Sequence, residues 1–266
     1  MPARDWLRGI LAGVLAGAAG GLFGVGGGII LVPLLTTFFG FSQHQAHGTS
    51  LAFIGPTALA GLLVYGASSQ VDWSIGLTLA AASIVSARFG ARWAAHTSPL
   101  ALRRAFAVLL ALVAARLLWQ STTVSTTPLA SLARFAFALG LGVATGLFSG
   151  YFGVGGGLVA VPGLTLGLGM AQHAAQGTSL LMIALVAPVG ALEHARHGNV
   201  VTRWVVPLAL GGMAVGAPAT AWLAQRVPHD ALVRAFAVFL IVNAALSWRQ
   251  GAARVVPSRG VSSPER

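Results

Sequence analysis

Apolar residues gather in ten runs along the chain, at about 7–23, 25–39, 48–66, 73–94, 101–119, 132–149, 154–169, 177–193, 204–224 and 231–248. Several reach the ~17–25 residues that a membrane-spanning helix needs. The second and seventh are shorter and interrupted by Gly and Pro. The pattern predicts an all-α integral membrane protein, a polytopic helical bundle with two Gly/Pro-broken helices. Met1–Arg8 followed by a Gly/Ala run resembles a signal peptide, but the apolar character continues into a motif that recurs later, so it reads as a retained first helix. Ser121–Pro128 is polar and uncharged and reads as a linker. The tail from Arg249 carries Arg, Ser and Pro without an apolar run, which predicts disorder over 251–266.

The chain also repeats itself. Phe23–Gly28 and Phe152–Gly157 both read FGVGGG, and Val32-Pro33 recurs as Val161-Pro162. Gln43–Leu51 (QHQAHGTSL) matches Gln172–Leu180 (QHAAQGTSL) at seven of nine positions, and all three pairs share an offset of 129 residues. Arg104–Val108 (RAFAV) returns at Arg234–Val238 with an offset of 130. Spacing held over so long a stretch means two homologous membrane repeats, 1–120 and 131–250, joined through 121–130.

Loop charges set the expected orientation of the halves. With five passes per half and the N-terminus (Arg4, Arg8) inside, the turn with Arg88, Arg92, Arg103 and Arg104 falls inside. So do Arg196, Arg203 and the arginines of the tail, while Asp72 and the linker fall outside. Arg226 and Arg234 oppose the trend, partly offset by Asp230. Fusing the first two runs into one span would put the four-arginine turn outside. Positive-inside bias therefore favours five plus five, with both termini cytoplasmic. An odd number per half means inverted-topology repeats, a plan common in secondary transporters.

Composition agrees and excludes other classes. Charged residues make up 8% of the 266, against ~25% in soluble domains. The 16 basic residues are all Arg and give a net charge of +11. Their place between apolar runs argues for membrane orientation rather than nucleic-acid binding. With no Cys, thiol catalysis and Cys–zinc sites are excluded. Gly, at 35 residues, is about twice its usual ~7% share.

Two duplicated motifs are candidate chemistry. The first is Gly24 to Gly28 with Pro33, copied as Gly153 to Gly157 with Pro162. Gly lets backbone leave helical geometry or lets another helix come close, and Pro removes a donor. Irregular backbone at membrane depth survives only when buried or lining a cavity. Broken helices at matching places of two halves point to a transport site whose helix N-termini face an anion. The plainer alternative is tight helix packing without a ligand. A nucleotide P-loop does not fit, since the G-K-[ST] ending is missing. The second motif is His47-Gly48-Thr49-Ser50, copied as Gln176-Gly177-Thr178-Ser179, which opens the third and eighth runs. Its hydroxyls are either ordinary helix caps or donors to an oxyanion. Only His47 of the pair titrates near neutral pH, so any proton coupling is expected to be asymmetric.

Other polar residues read more plainly. His44 and His173 are expected in loops. Glu193, His194, Arg196 and His197 read as a solvated interfacial loop, without support for a metal site. Asp72 and Trp73 read as a helix cap and an interface anchor, and Arg88 and Arg92 as snorkelling side chains. No run of mid-span carboxylates suggests cation passage, and no paired acids suggest hydrolysis.

At the duplicated FGVGGG…VP…HGTSL or QGTSL, the chain resembles the TauE/SafE sulfite exporter family of membrane permeases, over about 7–248. The resemblance implies transport of small sulfur oxyanions or organosulfonates across the cytoplasmic (inner) membrane, without catalysis or a cofactor. Carried over by position, the substrate-binding candidates are Gly26, Gly27, Gly28, Pro33, His47, Gly48, Thr49 and Ser50. Their second-half counterparts are Gly155, Gly156, Gly157, Pro162, Gln176, Gly177, Thr178 and Ser179. Gln176 in place of a second His speaks against a symmetric two-His mechanism. The expected partners are a small anion and the lipid bilayer, not nucleic acid, with homo-oligomerisation left open. The alternatives are a passive anion channel or a permease for small carboxylates.

Overall fold

The computed structural model describes residues 2–119 and 131–252. Among them the regular structure is helical, in ten helices. The first five are α1 (Ala3–Phe23), α2 (Gly28–Phe38), α3 (Gln43–Ala67), α4 (Trp73–His96) and α5 (Pro99–Leu118). The second five are α6 (Ser131–Phe152), α7 (Gly157–Leu168), α8 (Gln172–Arg196), α9 (Thr202–Ala224) and α10 (His229–Ala252). The middle of α9, Gly212–Gly216, is a π-helical turn. The linker Ser121–Pro128 lies outside the described residues. The expected disordered tail is helical from Arg249 to Ala252, because α10 simply continues, and its remainder also lies outside them.

Seven helices, α1, α3, α4, α6, α8, α9 and the Asp230–Trp248 part of α10, are long and apolar enough to cross a membrane. Large apolar side chains point outward from them, among them Leu11, Leu63, Val85, Phe89 and Leu192, as lipid contact requires and water would not tolerate over such an area. The broken segments α2 and α7 have 11 and 12 residues. At 1.5 Å per residue each is ~16–18 Å long, about half the ~30 Å apolar core. They are half-helices.

The two halves run in opposite directions and interlock. Along α3 and α8, Leu51 meets Gly190, Gly55 meets Pro188 and Gly61 meets Leu180, so these homologous helices are antiparallel. By contrast α1 lies parallel to α9 of the other half, with Gly9 on Pro207, Gly13 on Leu208, Gly17 on Gly212 and Gly21 on Ala217. The counterpart pair is α6 on α4, with Gly142 on Leu79, Gly146 on Ser83 and Gly150 on Ala87. Glycines four residues apart form a flat stripe that lets backbones touch, the main attraction available between helices in lipid.

These contacts define two ends. α1, α3 and α9 begin together: Gly9 touches Trp204, and Thr49 Oγ1 accepts from Val201 N at 3.0 Å. The end of α4 joins them, since His44 Nε2 donates to the carbonyls of Ala94 and Thr97 at 3.0 and 3.1 Å. Arg92, Arg103, Arg196 and Arg203 belong to this arginine-rich end. The opposite end holds the turn before α4, where Asp72 meets Arg134 of α6 at 3.5 Å. Asp72 caps α4 by accepting from Ile75 N, and Trp73 stands half exposed beside it, as the sequence predicts. From the arginine-rich end α1 runs inward, turns at Gly24 and returns as α2, after which Phe39 stacks edge-on to Trp204 at 4.7 Å.

Candidate functional site

Each half-helix starts from a glycine crossover in the protein interior. Gly24, Gly26 and Gly27 have φ of +69, +75 and +87°, and Gly153, Gly155 and Gly156 have +65, +85 and +77°. This left-handed region excludes most side chains. Space excludes them too. A Cβ on Gly28 would stand 2.7 Å from Cα of Val154, and one on Gly157 would stand 2.6 Å from Cα of Val25. The two crossovers therefore touch each other, flanked by Ile54 and Ile183, whose side chains also pack on Gly26 and Gly155. The half-helices are N-capped by Gly27 and Gly156, which have no side chain to accept from the first amides. Two positive helix ends thus face inward at one place. Pro33 and Pro162 lie inside the half-helices, and Thr36 and Thr165 hydroxyls bond the carbonyls beside each proline at 3.1 Å.

The second motif is not at a helix start. Ser42 caps α3 through a capping box with Gln45, and α8 begins after Ala171. His47 to Ser50 and Gln176 to Ser179 lie in the second turn, where backbone donors are already engaged by the helix. The side chains divide the work. Gly48 lies against the carbonyl of Asn199, and Gly177 against that of Gln70. Thr49 accepts from Val201 N, and Thr178 Oγ1 accepts from Asp72 N at 2.9 Å, so each pair docks a turn of the opposite half. His47 Nδ1 and Gln176 Nε2 reach the carbonyls of Tyr151 and Leu22, at 3.2 and 3.1 Å. Ser50 and Ser179 are fully buried, and their hydroxyls have no partner among the described residues. Ser50 Oγ lies 3.0 Å from where a Cβ on Gly28 would be, next to the first turn of α2.

Three polar expectations are corrected. His44 and His173 sit in the first turns of α3 and α8 rather than in loops. Each imidazole satisfies carbonyls at the end of the helix beside it, His173 Nε2 donating to Ala224 at 3.0 Å. Glu193 and His194 are on α8 and buried. Glu193 is no solvated loop residue, because Arg92 of α4 and Arg196 hold its two oxygens at 2.9 and 3.2 Å. Arg92 consequently has a partner as well as an aqueous head group. Tyr65 and Ser149, which lie outside both motifs, are buried beside the crossovers, and Gln43 is buried one helical turn before His47; Ser149 Oγ has no partner among the described residues. The offset of 129 pairs Tyr65 with His194, a correspondence that the differing residue types hide in the sequence. A cavity of about 350 Å³ lined by Trp93, Thr97, Leu147, Phe148, Tyr151 and Phe152 lies on the flank of α4 and α6.

The family model of the sulfite exporter TauE/SafE matches residues 2–117 and 136–265. The chain belongs to the TauE/SafE family. A probable membrane transporter protein of Xylella fastidiosa (strain 9a5c) is 30% identical over 250 residues, covering 92% of this chain and 95% of that protein. The probable membrane transporter protein YdhB of Bacillus subtilis is 29% identical over 232 residues, 84% of this chain and 94% of its own. A probable membrane transporter protein of Haemophilus influenzae is 28% identical over 264 residues, with 88% and 95% covered. No solved structure matches the chain. As a TauE/SafE member with seven apolar helices of spanning length, it is a multi-pass membrane protein of a transporter family.

Proposed function

We propose that this TauE/SafE protein is a secondary transporter that exports small sulfur oxyanions or organosulfonates, held between the first turns of α2 and α7. The observation that carries this reading is the meeting of two glycine-capped half-helix starts, with the buried, unpartnered Ser50 hydroxyl beside the first of them; Ser179, equally buried and unpartnered, is its counterpart by the repeat. Free amides and hydroxyls are donors that suit an oxyanion, and the two positive helix ends favour its charge. Ser50 and Ser179 contact the anion. Gly26 to Gly28 and Gly155 to Gly157 let it approach backbone. Pro33 and Pro162 loosen the half-helices. His47, Thr49, Gln176 and Thr178, with their glycines, hold the surrounding turns. The family's description supports the choice of a sulfur oxyanion or organosulfonate as substrate. The close contact of the crossovers, flanked by Ile54 and Ile183, favours a carrier over a passive channel.

The arginine-rich end is cytoplasmic on this reading, since Arg4, Arg8, Arg92, Arg103, Arg104, Arg196 and Arg203 gather there and positive residues are retained inside. The moving bodies are not the sequence halves, because α1 is bound to α9 and α4 to α6. Alternating access would shift these cross-half pairs about α3 and α8. The test is efflux from proteoliposomes loaded in turn with sulfite, thiosulfate, a small sulfonate and a small carboxylate. Combined Ser50→Ala and Ser179→Ala should weaken apparent affinity by about tenfold per hydroxyl, the scale of a hydrogen bond to a charged group. Wild-type affinity in that double variant would reject the site, and transport of carboxylates alone would reject the sulfur class.

A further inference from the structure

The last turn of α1 and the last turn of α6 each lead into a glycine crossover, and each has carbonyls with no helical donor left. In the first half the Tyr65 hydroxyl shares its proton between Gly21 O at 3.1 Å and Gln176 Oε1 at 2.9 Å, and Gln176 Nε2 donates to Leu22 O at 3.1 Å. In the second half His194 Nε2 meets Gly150 O at 2.9 Å and His47 Nδ1 meets Tyr151 O at 3.2 Å. Positions 150 and 151 are the counterparts of 21 and 22, and the holding residues correspond as well. The same latch is thus built twice, once from groups that do not titrate near neutrality and once from two imidazoles.

The protonation state of the histidine latch follows from its neighbours. Arg103 Nε and Nη2 donate to Gln43 Oε1 at 3.2 and 3.1 Å. Arginine only donates, so the Gln43 amide is fixed with its nitrogen toward His47, at 2.8 Å. His47 Nε2 must accept there, and Nδ1–H donates to Tyr151. A second proton on His47 would point at the Gln43 NH2, and turning that amide would set it against Arg103. His194 donates through Nε2, and its buried Nδ1 has no partner, so a second proton there would be a buried donor without an acceptor. The carboxylate of Glu193 is held by Arg92 and Arg196. Of the remaining groups at this end, His44 is bonded to Ala94 and Thr97, and His197 to the Glu193 carbonyl. None offers an acceptor to either ring.

We propose that His47 and His194 form a proton-binding site whose occupation releases the end of α6 and the second crossover, while Tyr65 and Gln176 keep the first in place. The closed latch has no acceptor for an added proton, so protons bind preferentially to an arrangement in which these rings meet water. By linkage, acid populates that arrangement. The proton comes from the aqueous phase and returns to it on reclosure, which makes one crossover, and not its twin, responsive to pH.

The test needs no substrate and so stands or falls apart from the proposed transport. The chain lacks Cys, so Val154→Cys and Val25→Cys report on the second and first crossovers by maleimide labelling in proteoliposomes. The ratio of their rates cancels the common effect of pH on thiolate reactivity. Between about pH 8 and about pH 5, the ratio should rise by about fivefold in favour of position 154. Replacing the latch by its twin, His47→Gln with His194→Tyr, should flatten the response. An unchanged ratio in the wild-type background, or the full rise in the replaced one, overturns the proposal. If the double replacement does not fold, His47→Gln alone is labelled in the same way; it keeps a donor to Tyr151 and should at least halve the response, and an undiminished rise overturns the proposal equally.

Discussion

A methyl group added at Gly140 would meet nothing within 4 Å, whereas one at Gly28 would stand 2.7 Å from backbone of the other half. The two glycines therefore call for opposite outcomes. Gly140→Ala on exposed α6 should leave thermal stability in detergent unchanged or raise it by about 0.5–1 kcal/mol, the ordinary helix gain. Gly28→Ala should abolish transport and lower stability, and a Gly28→Ala protein with normal efflux would refute the contact between crossovers. Thr49 and Thr178 make a different case. Their hydroxyls are the partners given for two turn amides, so each Thr→Ala change should cost about 1–3 kcal/mol through the amide left behind. Thermal unfolding of the single variants checks this, and transport loss alone, without destabilisation, would assign them to the ligand instead. At this scale the sequence showed which residues matter but not which task each has. Thr49 and Ser50 are adjacent and both hydroxylic, yet they face a turn and a half-helix start respectively, and that distinction depends on partners some 150 residues away in one case.

At the scale of elements, the half-helices were legible because Gly and Pro interrupt apolar runs too short to span. The interlock was less so. Gly9, Gly13, Gly17 and Gly21 recur every fourth position, as do Gly142, Gly146 and Gly150, a spacing visible in the chain. What it cannot reveal is the partner, since α1 could have met any flat face; the structure gives it α9 and gives α4 to α6. The start of α3 was misplaced for a related reason. His44 and Gln45 look polar enough for a loop, but Ser42 and Gln45 form a capping box and neighbouring carbonyls satisfy His44. Aromatic pairs reinforce the duplicated architecture, Phe23 on Phe236 at 4.9 Å and Phe152 on Phe106 at 5.7 Å. Widening the stripe should separate α1 from α9. Gly17→Leu, with its Cβ 2.6 Å from Cα of Gly212, is expected to unfold or misassemble the protein, read as loss of a monodisperse peak in size-exclusion chromatography. The outward-facing Leu15→Ala should not.

For the whole molecule, the inverted repeat predicts which turns share a side. Ser68→Cys and His96→Cys lie in exposed positions at opposite ends. In intact cells an impermeant maleimide should label position 68 and leave position 96 untouched until the membrane is opened; the reverse pattern would turn the molecule over. The interlock has a further consequence for how such a protein is made. When a ribosome has delivered only the first five helices, the glycine face of α1 and the face of α4 that receives the α6 glycines have no partners, because α9 and α6 belong to polypeptide not yet synthesised. The nascent half must wait in the bilayer, and a truncated half should be recognised as an orphan and degraded. Two separate genes, one for each half, should rescue one another when expressed together. The covalent join between them would then matter for timing and stoichiometry rather than for the shape of the finished protein.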